Sequence, residues 1–131
     1  TFGCANGMLL SGARAYAETH RAELAKHVAA MEADSGAGAP FAYRVTGGAP
    51  AQNVVQSWLL PFGTLVPQEV GLTDEWGADL LPLQAANVPV IGVAQDVSDY
   101  FEWHHTAGDT FDKIRPRELA QAQAAFYALA H

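Results

Sequence analysis

Three short apolar runs, separated by stretches of helical pattern, constrain this chain more than any other feature. The first is Val28-Ala29-Ala30-Met31, the second alternates from Phe41 to Thr46, and the third is Val90-Ile91-Gly92-Val93. Runs this short, bounded by glycine, proline and acidic residues, read as strands. The first is expected to be a buried strand ending in the acids of Glu32-Ala33-Asp34-Ser35-Gly36. The second closes at Gly47-Gly48, and the third ends at Gln95-Asp96. Between them lie alanine-rich or proline-bounded stretches suited to helices. Residues 12–27 predict an amphipathic helix capped by Ser11, with Tyr16, Ala17 and Leu24 buried and Glu18, Arg21 and Lys26 in water. Helices are also expected over 50–60, 80–86 and 116–130, while 62–77 reads as irregular. Strands alternating with helices give an α/β layered fold.

Ligands in such folds collect beyond the carboxyl ends of the strands. Two strand ends carry chemistry here: one runs into Asp34, the other passes Asp96 and leads to His104-His105. The connection lengths allow both to reach one rim of one sheet. The chain has 131 residues, enough for one domain with a core, and half of them are hydrophobic. A net charge of −7 argues against a nucleic-acid surface, which needs a basic patch. No apolar run is long enough to span a bilayer. Cys4 is the sole cysteine, which leaves out an internal disulfide and a thiolate zinc cluster. The chain does not start with methionine and carries no signal-peptide pattern, so it is expected to be a piece of something longer.

Each candidate also has an ordinary reading. Aspartate before Ser-Gly commonly bonds its own backbone in a turn, so Asp34 taken alone is a turn residue. Glu32 reads as a solvated acid, and Asp109-Thr110 as a turn before the last helix. Adjacent side chains in extended backbone point opposite ways, so no more than one of His104 and His105 is expected to face a given metal. Cys4 reads as a buried small residue, His20, His27 and His131 as structural or exposed, and Trp58 and Trp76 as core. Trp103 is a candidate pocket wall. Yet histidine is both the commonest metal ligand and the side chain that titrates near neutral pH, and a loop hung on a strand and a helix is where such residues work.

The segment Tyr100-Phe101-Glu102-Trp103-His104-His105-Thr106-Ala107-Gly108-Asp109-Thr110-Phe111-Asp112-Lys113 resembles the Tyr-Phe-x-x-His-His-Thr-x-x-Asp-Thr-x-Asp-Lys signature of M28-type zinc exopeptidases. Upstream, Gly12-Ala13-Arg14-Ala15-Tyr16 and Met31-Glu32-Ala33-Asp34-Ser35-Gly36 are similar to the family's helix and its Glu-x-Asp-x-Gly strand end. Gly77-Ala78-Asp79-Leu80-Leu81-Pro82-Leu83 and Val88-Pro89-Val90-Ile91-Gly92 match its pocket-side turn and following strand. The resemblance covers nearly the whole chain. It implies a three-layer mixed sheet flanked by helices, with residues 1–131 forming the C-terminal part of one catalytic domain. It also implies two zinc ions, peptide substrates and hydrolysis of peptide bonds. Asp34 matches a carboxylate ligand of one zinc, and His105 matches the histidine ligand of the other. Asp109 matches a group orienting the loop or the His105 ring. Tyr100 and Asp79 fall near the substrate pocket. Family members are often exported, which makes an exported or periplasmic location the expectation by analogy.

The chain departs from the family pattern at one place. The family sets two adjacent glutamates, a general base and a zinc ligand, just before the first helix. Here Cys4-Ala5-Asn6-Gly7-Met8-Leu9 stands there, and no acid precedes Glu18. The bridging aspartate and the first histidine ligand lie further upstream in the family than this chain reaches. The resemblance therefore assigns the chain no catalytic residue and predicts that it is inactive alone. The competing expectation is a non-catalytic, peptidase-like interaction domain.

Overall fold

The computed structural model describes residues 11–130. Expectations for Cys4, the Cys4–Leu9 segment and His131 lie outside the described residues. Among the described residues four strands form one mixed sheet: β1 (Ala30–Met31), β2 (Pro40–Val45), β3 (Val70–Leu72) and β4 (Val90–Gln95), in the order β1-β4-β2-β3. β1 runs parallel to β4 through Ala30–Val90 and Met31–Ile91, and β2 runs parallel to β3. β2 and β4 are antiparallel. The carboxyl ends of β1 and β4 and the start of β2 therefore share one rim.

Helices cover both faces, which gives the three layers. β4 is buried along its whole length, as a central strand covered on both sides must be. Side chains alternate in direction along a strand. Ile91 and Val93 thus join Tyr43, Val45 and Val70 against α2 (Gly48–Leu59) and α5 (Pro116–Ala130), where Val55, Leu59, Ala125 and Ala128 meet them. Val90 faces the other way and packs with Leu24, Leu80, Leu83 and Val88, next to α1 (Ser11–Thr19) and α3 (Leu81–Ala85). Fully burying a leucine such as Leu59 contributes ~1.5–3 kcal/mol. Thr46 extends the central ladder past β2: its backbone N–H donates to the Val90 carbonyl at 3.0 Å, and its hydroxyl accepts the Val90 N–H at 2.9 Å.

Several expectations need correction. The first strand is not buried among the described residues: Val28 is 75% exposed and Met31 37% exposed, because the two-residue β1 has a described neighbour, β4, on one side only. The first helix stops at Thr19, and Ser11 is helical rather than a cap ahead of the helix. The chain then turns and resumes as one 3₁₀ turn at Leu24–Lys26. His27 closes that turn. Its Nδ1 donates to the Glu23 carbonyl at 3.1 Å, which leaves Nε2 to accept the Tyr16 hydroxyl at 3.0 Å. Tyr16, Ala17 and Leu24 still share one buried side despite the break.

β3 lies inside the stretch read as irregular. Three residues show no period, and this strand is fastened by amide side chains from α2 rather than by its own pattern. Gln52 donates to the Val70 carbonyl at 2.6 Å, and Gln56 to the Gln68 carbonyl at 2.9 Å. The region between β4 and α5 also holds a single helical turn, α4 (Tyr100–Trp103), and a 3₁₀ turn at Phe111–Lys113.

Candidate functional site

Two loops build a cleft of about 510 Å³ at the shared rim. The first runs from the end of β1 to the start of β2 and carries Asp34. The second leaves β4 and carries Tyr100, His104, His105 and Asp109. The start of α5 closes one side with Arg115 and Glu118.

The first loop is pinned by Gln95, the last residue of β4. Gln95 is 5% exposed, and its amide donates to the Gly38 carbonyl at 2.9 Å and the Gly36 carbonyl at 3.3 Å. A buried amide satisfied by loop carbonyls holds the loop in one place. The Asp96 N–H adds a bond to the Ala39 carbonyl at 2.9 Å. Contact there is so close that a Cβ on Gly38 would lie 1.9 Å from the Asp96 carbonyl oxygen. Asp34 follows as an exposed residue lining the cleft.

The second loop opens with a turn in which Asp96 accepts the Ser98 N–H at 2.9 Å; bonds from Ser98 hold the Asp96 carboxyl below its ordinary range. α4 follows. Tyr100 and His104 lie four residues apart, on one side of that turn, and their rings stack with centroids 4.7 Å apart. His105 has φ of +58°. Left-handed backbone in a non-glycine residue is uncommon, and here it swings the His105 ring onto His104 with 3.8 Å between centroids. The two imidazoles therefore lie side by side in the cleft lining, not on opposite sides as extended backbone would put them. Thr106 and Gly108 shape the turn that follows, through the Thr106 hydroxyl donating to the Trp103 carbonyl at 2.7 Å. Trp103 is a cleft wall, and the Lys113 ammonium sits 4.7 Å above its ring. Lys113 also bonds Asp112 at 2.7 Å, and with the Thr110 hydroxyl it holds Asp112 at a pKa of about 2. Arg115 ties the loop to α5 by bonding Asp99 at 2.8 Å and Glu118 at 3.1 Å.

Of the residues singled out from sequence, the structure brings Asp34, His105, Tyr100 and Asp109 into this one cleft. Asp79 stands apart, in the 3₁₀ turn Ala78–Leu80, where its backbone N–H donates to Glu32 Oε2 at 3.1 Å. Glu32 is not a plain solvated acid. Burial, and next the charge of Asp34, raise its pKa above the ordinary glutamate value. With Trp76 and Gly77 it lines a second hollow of about 440 Å³, which Asp34 also borders. Its position two residues before Asp34, on the same side of the extended chain, was the available signal. Tyr100 is likewise raised, by burial first and then by the nearby Asp34 and Asp109 charges.

A carboxylate and an imidazole in one cleft are donors that zinc accepts. Among the described residues, no group of three or more histidine, cysteine, aspartate or glutamate side chains converges to hold a metal ion. The donor types are nonetheless ones that zinc accepts, and Asp34 and His105 are the residues that could each give one ligand to bound zinc.

Comparison with known proteins agrees with this geometry. The sequence profile of peptidase family M28 matches residues 5–130. Carboxypeptidase Q of Rattus norvegicus is 31% identical over 120 residues, and that of Homo sapiens 26% identical over 120. Both alignments cover 92% of this chain and 25% of the relative, so the chain spans about a quarter of the length of the relatives it matches. A crystal structure of a peptidase M28 precursor from Shewanella amazonensis SB2B superposes with a TM-score of 0.83 at 38% identity. That match covers 92% of this chain and 27% of the other. The mixed sheet flanked by helices, the rim cleft and these matches together place the chain in peptidase family M28.

Proposed function

We propose that this chain is part of a zinc-dependent metallo-exopeptidase, aminopeptidase-like in its chemistry, with Asp34 and His105 each giving one ligand to a two-zinc centre. The observation that supports this is the meeting of Asp34 and His105 in one cleft, on loops leaving two parallel strands. When bound, zinc contributes Lewis acidity toward the peptide carbonyl and makes water a nucleophile near neutral pH. The chain's own residues do the rest of what falls to it. Asp34 brings a carboxyl group to the cleft, and His105 offers a ring nitrogen. Tyr100, whose hydroxyl keeps its proton through neutral pH, donates to the Asp34 carbonyl at 3.1 Å and steadies that loop. Trp103 and His104 give the cleft aromatic walls on which an apolar peptide side chain can lie.

The chain by itself is expected to be inactive. One donor per ion is below the three that catalytic zinc sites usually draw from protein. A general base contributes ~10²–10⁴-fold, and no acid precedes Glu18 to supply one in the family's position. That same observation favours a second reading, a peptidase-like domain that binds peptides without cleaving them.

The test is an assay of the zinc-loaded chain on aminoacyl-nitroanilides and dipeptides, with zinc titration followed at the ring signals of labelled histidine. The expected result is no turnover, with His105 shifting on zinc addition and the shift reduced in Asp34→Asn. Metal-dependent turnover lost in His105→Ala overturns the inactivity. A His105 ring indifferent to zinc overturns the metal assignment.

A further inference from the structure

Tyr100 touches both loops of the cleft at once. We propose that Tyr100 is a positioning residue that locks the Asp34 loop to the His104-His105 turn and so fixes how the Asp34 carboxylate and the His105 imidazole are presented together. The inference rests on the reading of these two residues as a metal-binding pair.

The link to the first loop is made to backbone. The Tyr100 hydroxyl donates to the Asp34 carbonyl oxygen at 3.1 Å, which holds residue 34 while leaving its carboxylate free. The ring also lies on Gly36: a Cβ there would come 3.3 Å from Tyr100 Cδ2, and Gly36 has φ of +74°. That glycine is needed both for its left-handed backbone and for the close approach of the ring.

The link to the second loop is a column of rings. Tyr100 stacks on His104 with 26° between planes, and His104 stacks on His105 with 24° between planes. Phe101 braces the column edge-on, with its centroid 5.0 Å from Tyr100 and 6.1 Å from His104. The His104 N–H bond to the Tyr100 carbonyl at 3.0 Å closes the turn beneath. The left-handed backbone at His105 costs free energy and persists only where the surroundings over-determine it. The stacked rings are those surroundings. Residues that orient a metal ligand commonly change metal affinity roughly 10–100-fold when removed.

The experiment uses the 131-residue chain with ¹³C,¹⁵N-labelled histidine. The variants are Tyr100→Leu, Tyr100→Phe, His104→Ala and His104→Phe, with circular dichroism reporting the fold of each. Two quantities are read: the His105 ring shifts without metal, which the stack displaces from those of free histidine, and the zinc affinity at His105. Tyr100→Leu is expected to move the ring shifts toward free histidine and to weaken zinc roughly 10-fold. Tyr100→Phe keeps the ring shifts and weakens zinc by less than Tyr100→Leu does. His104→Phe keeps the column, and His104→Ala breaks it. A folded Tyr100→Leu with unaltered ring shifts and zinc affinity overturns the proposal. Should Tyr100→Leu not fold, unaltered His105 shifts in His104→Ala overturn it instead. A wild-type His105 that ignores zinc defeats the metal reading alone, because the metal-free shifts still decide the positioning role.

Discussion

The indole of Trp76 lies directly on Gly92, so close that a Cβ at residue 92 would stand 2.0 Å from the ring. Gly92 belongs to the central strand β4, on the face opposite Val93, and Trp76 covers it as the wall of the hollow beside Glu32. A missing side chain on the strand is thus filled by an aromatic ring from a loop. Gly92→Ala should lower stability by ~1–3 kcal/mol, because overpacking forces the ring or the strand to move. Thermal melts and Trp76 fluorescence check this together. An unchanged melting temperature with an unchanged emission maximum would show that the ring is not seated on the strand.

Tyr43 makes the protein sensitive to alkali. It is fully buried, its hydroxyl donates to the Ala125 carbonyl at 3.2 Å, and burial pushes its pKa to about 12. The unfolded chain releases this proton near pH 10, the ordinary tyrosine value. The folded-state pKa is raised, so the contribution is whole below pH 10 and is lost as pH climbs to 12. That difference corresponds to about 3 kcal/mol. Denaturant unfolding across this window should show that loss in the wild type and a flatter profile in Tyr43→Phe. Parallel profiles would mean that Tyr43 ionises in the folded state as freely as in water.

Glu32 gives a pH dependence at the acid end. Its folded pKa is raised above 4.5, chiefly by burial and then by Asp34, while the Asp79 N–H bond works the other way. A raised carboxyl stabilises the fold below its unfolded value, and that stabilisation goes as pH rises through the folded value. Glu32→Gln keeps an acceptor for the Asp79 N–H and removes the charge. The variant should match the wild type at pH 4 and gain melting temperature relative to it at pH 7. The opposite trend would show that the charged carboxylate is net favourable beside Asp34.

How much of this was legible depends on whether a feature lives in pattern or in three dimensions. α5 was readable to its ends because Pro116 opens it and straight-chain and alanine residues fill it. The rim position of Asp34 and His105 followed from two apolar runs that had to be strands, and parallel pairing of β1 with β4 put their ends together. The residue pattern of 100–113 added the resemblance to the family. Other features left no trace in pattern. β3 is held by Gln52 and Gln56 from α2, a tertiary bond that no period records. The return of the chain after α1 brings His27 back to the Tyr16 hydroxyl, eleven residues earlier, a contact no period records. The side-by-side imidazoles depend on one positive φ at His105, a conformation that histidine rarely adopts and sequence does not announce. Glu32 was read as solvated because its burial comes from Gly77 and Trp76, 45 and 44 residues further along.

Asp34 and His105 are one carboxylate and one imidazole, and no larger cluster of ligating side chains converges among the described residues. With one donor per ion, each zinc would keep most of its water, and two dications would repel without a bridging carboxylate between them. Binding should therefore be weak in the 131-residue chain. Ligand linkage translates this directly, since at a zinc concentration equal to the dissociation constant the native state gains only ~0.4 kcal/mol. A chelator should leave the melting temperature of the purified chain unchanged, and millimolar zinc should raise it by no more than about 1–3 °C, given ~2–8 °C per kcal/mol for domains of this size. Asp34→Asn and His105→Ala should each abolish even that rise while leaving the metal-free melt near wild type, because both residues are exposed. Calorimetry with and without chelator measures all of these. A melt that drops by many degrees on chelation would reveal a tight site, and with it further ligands beyond Asp34 and His105.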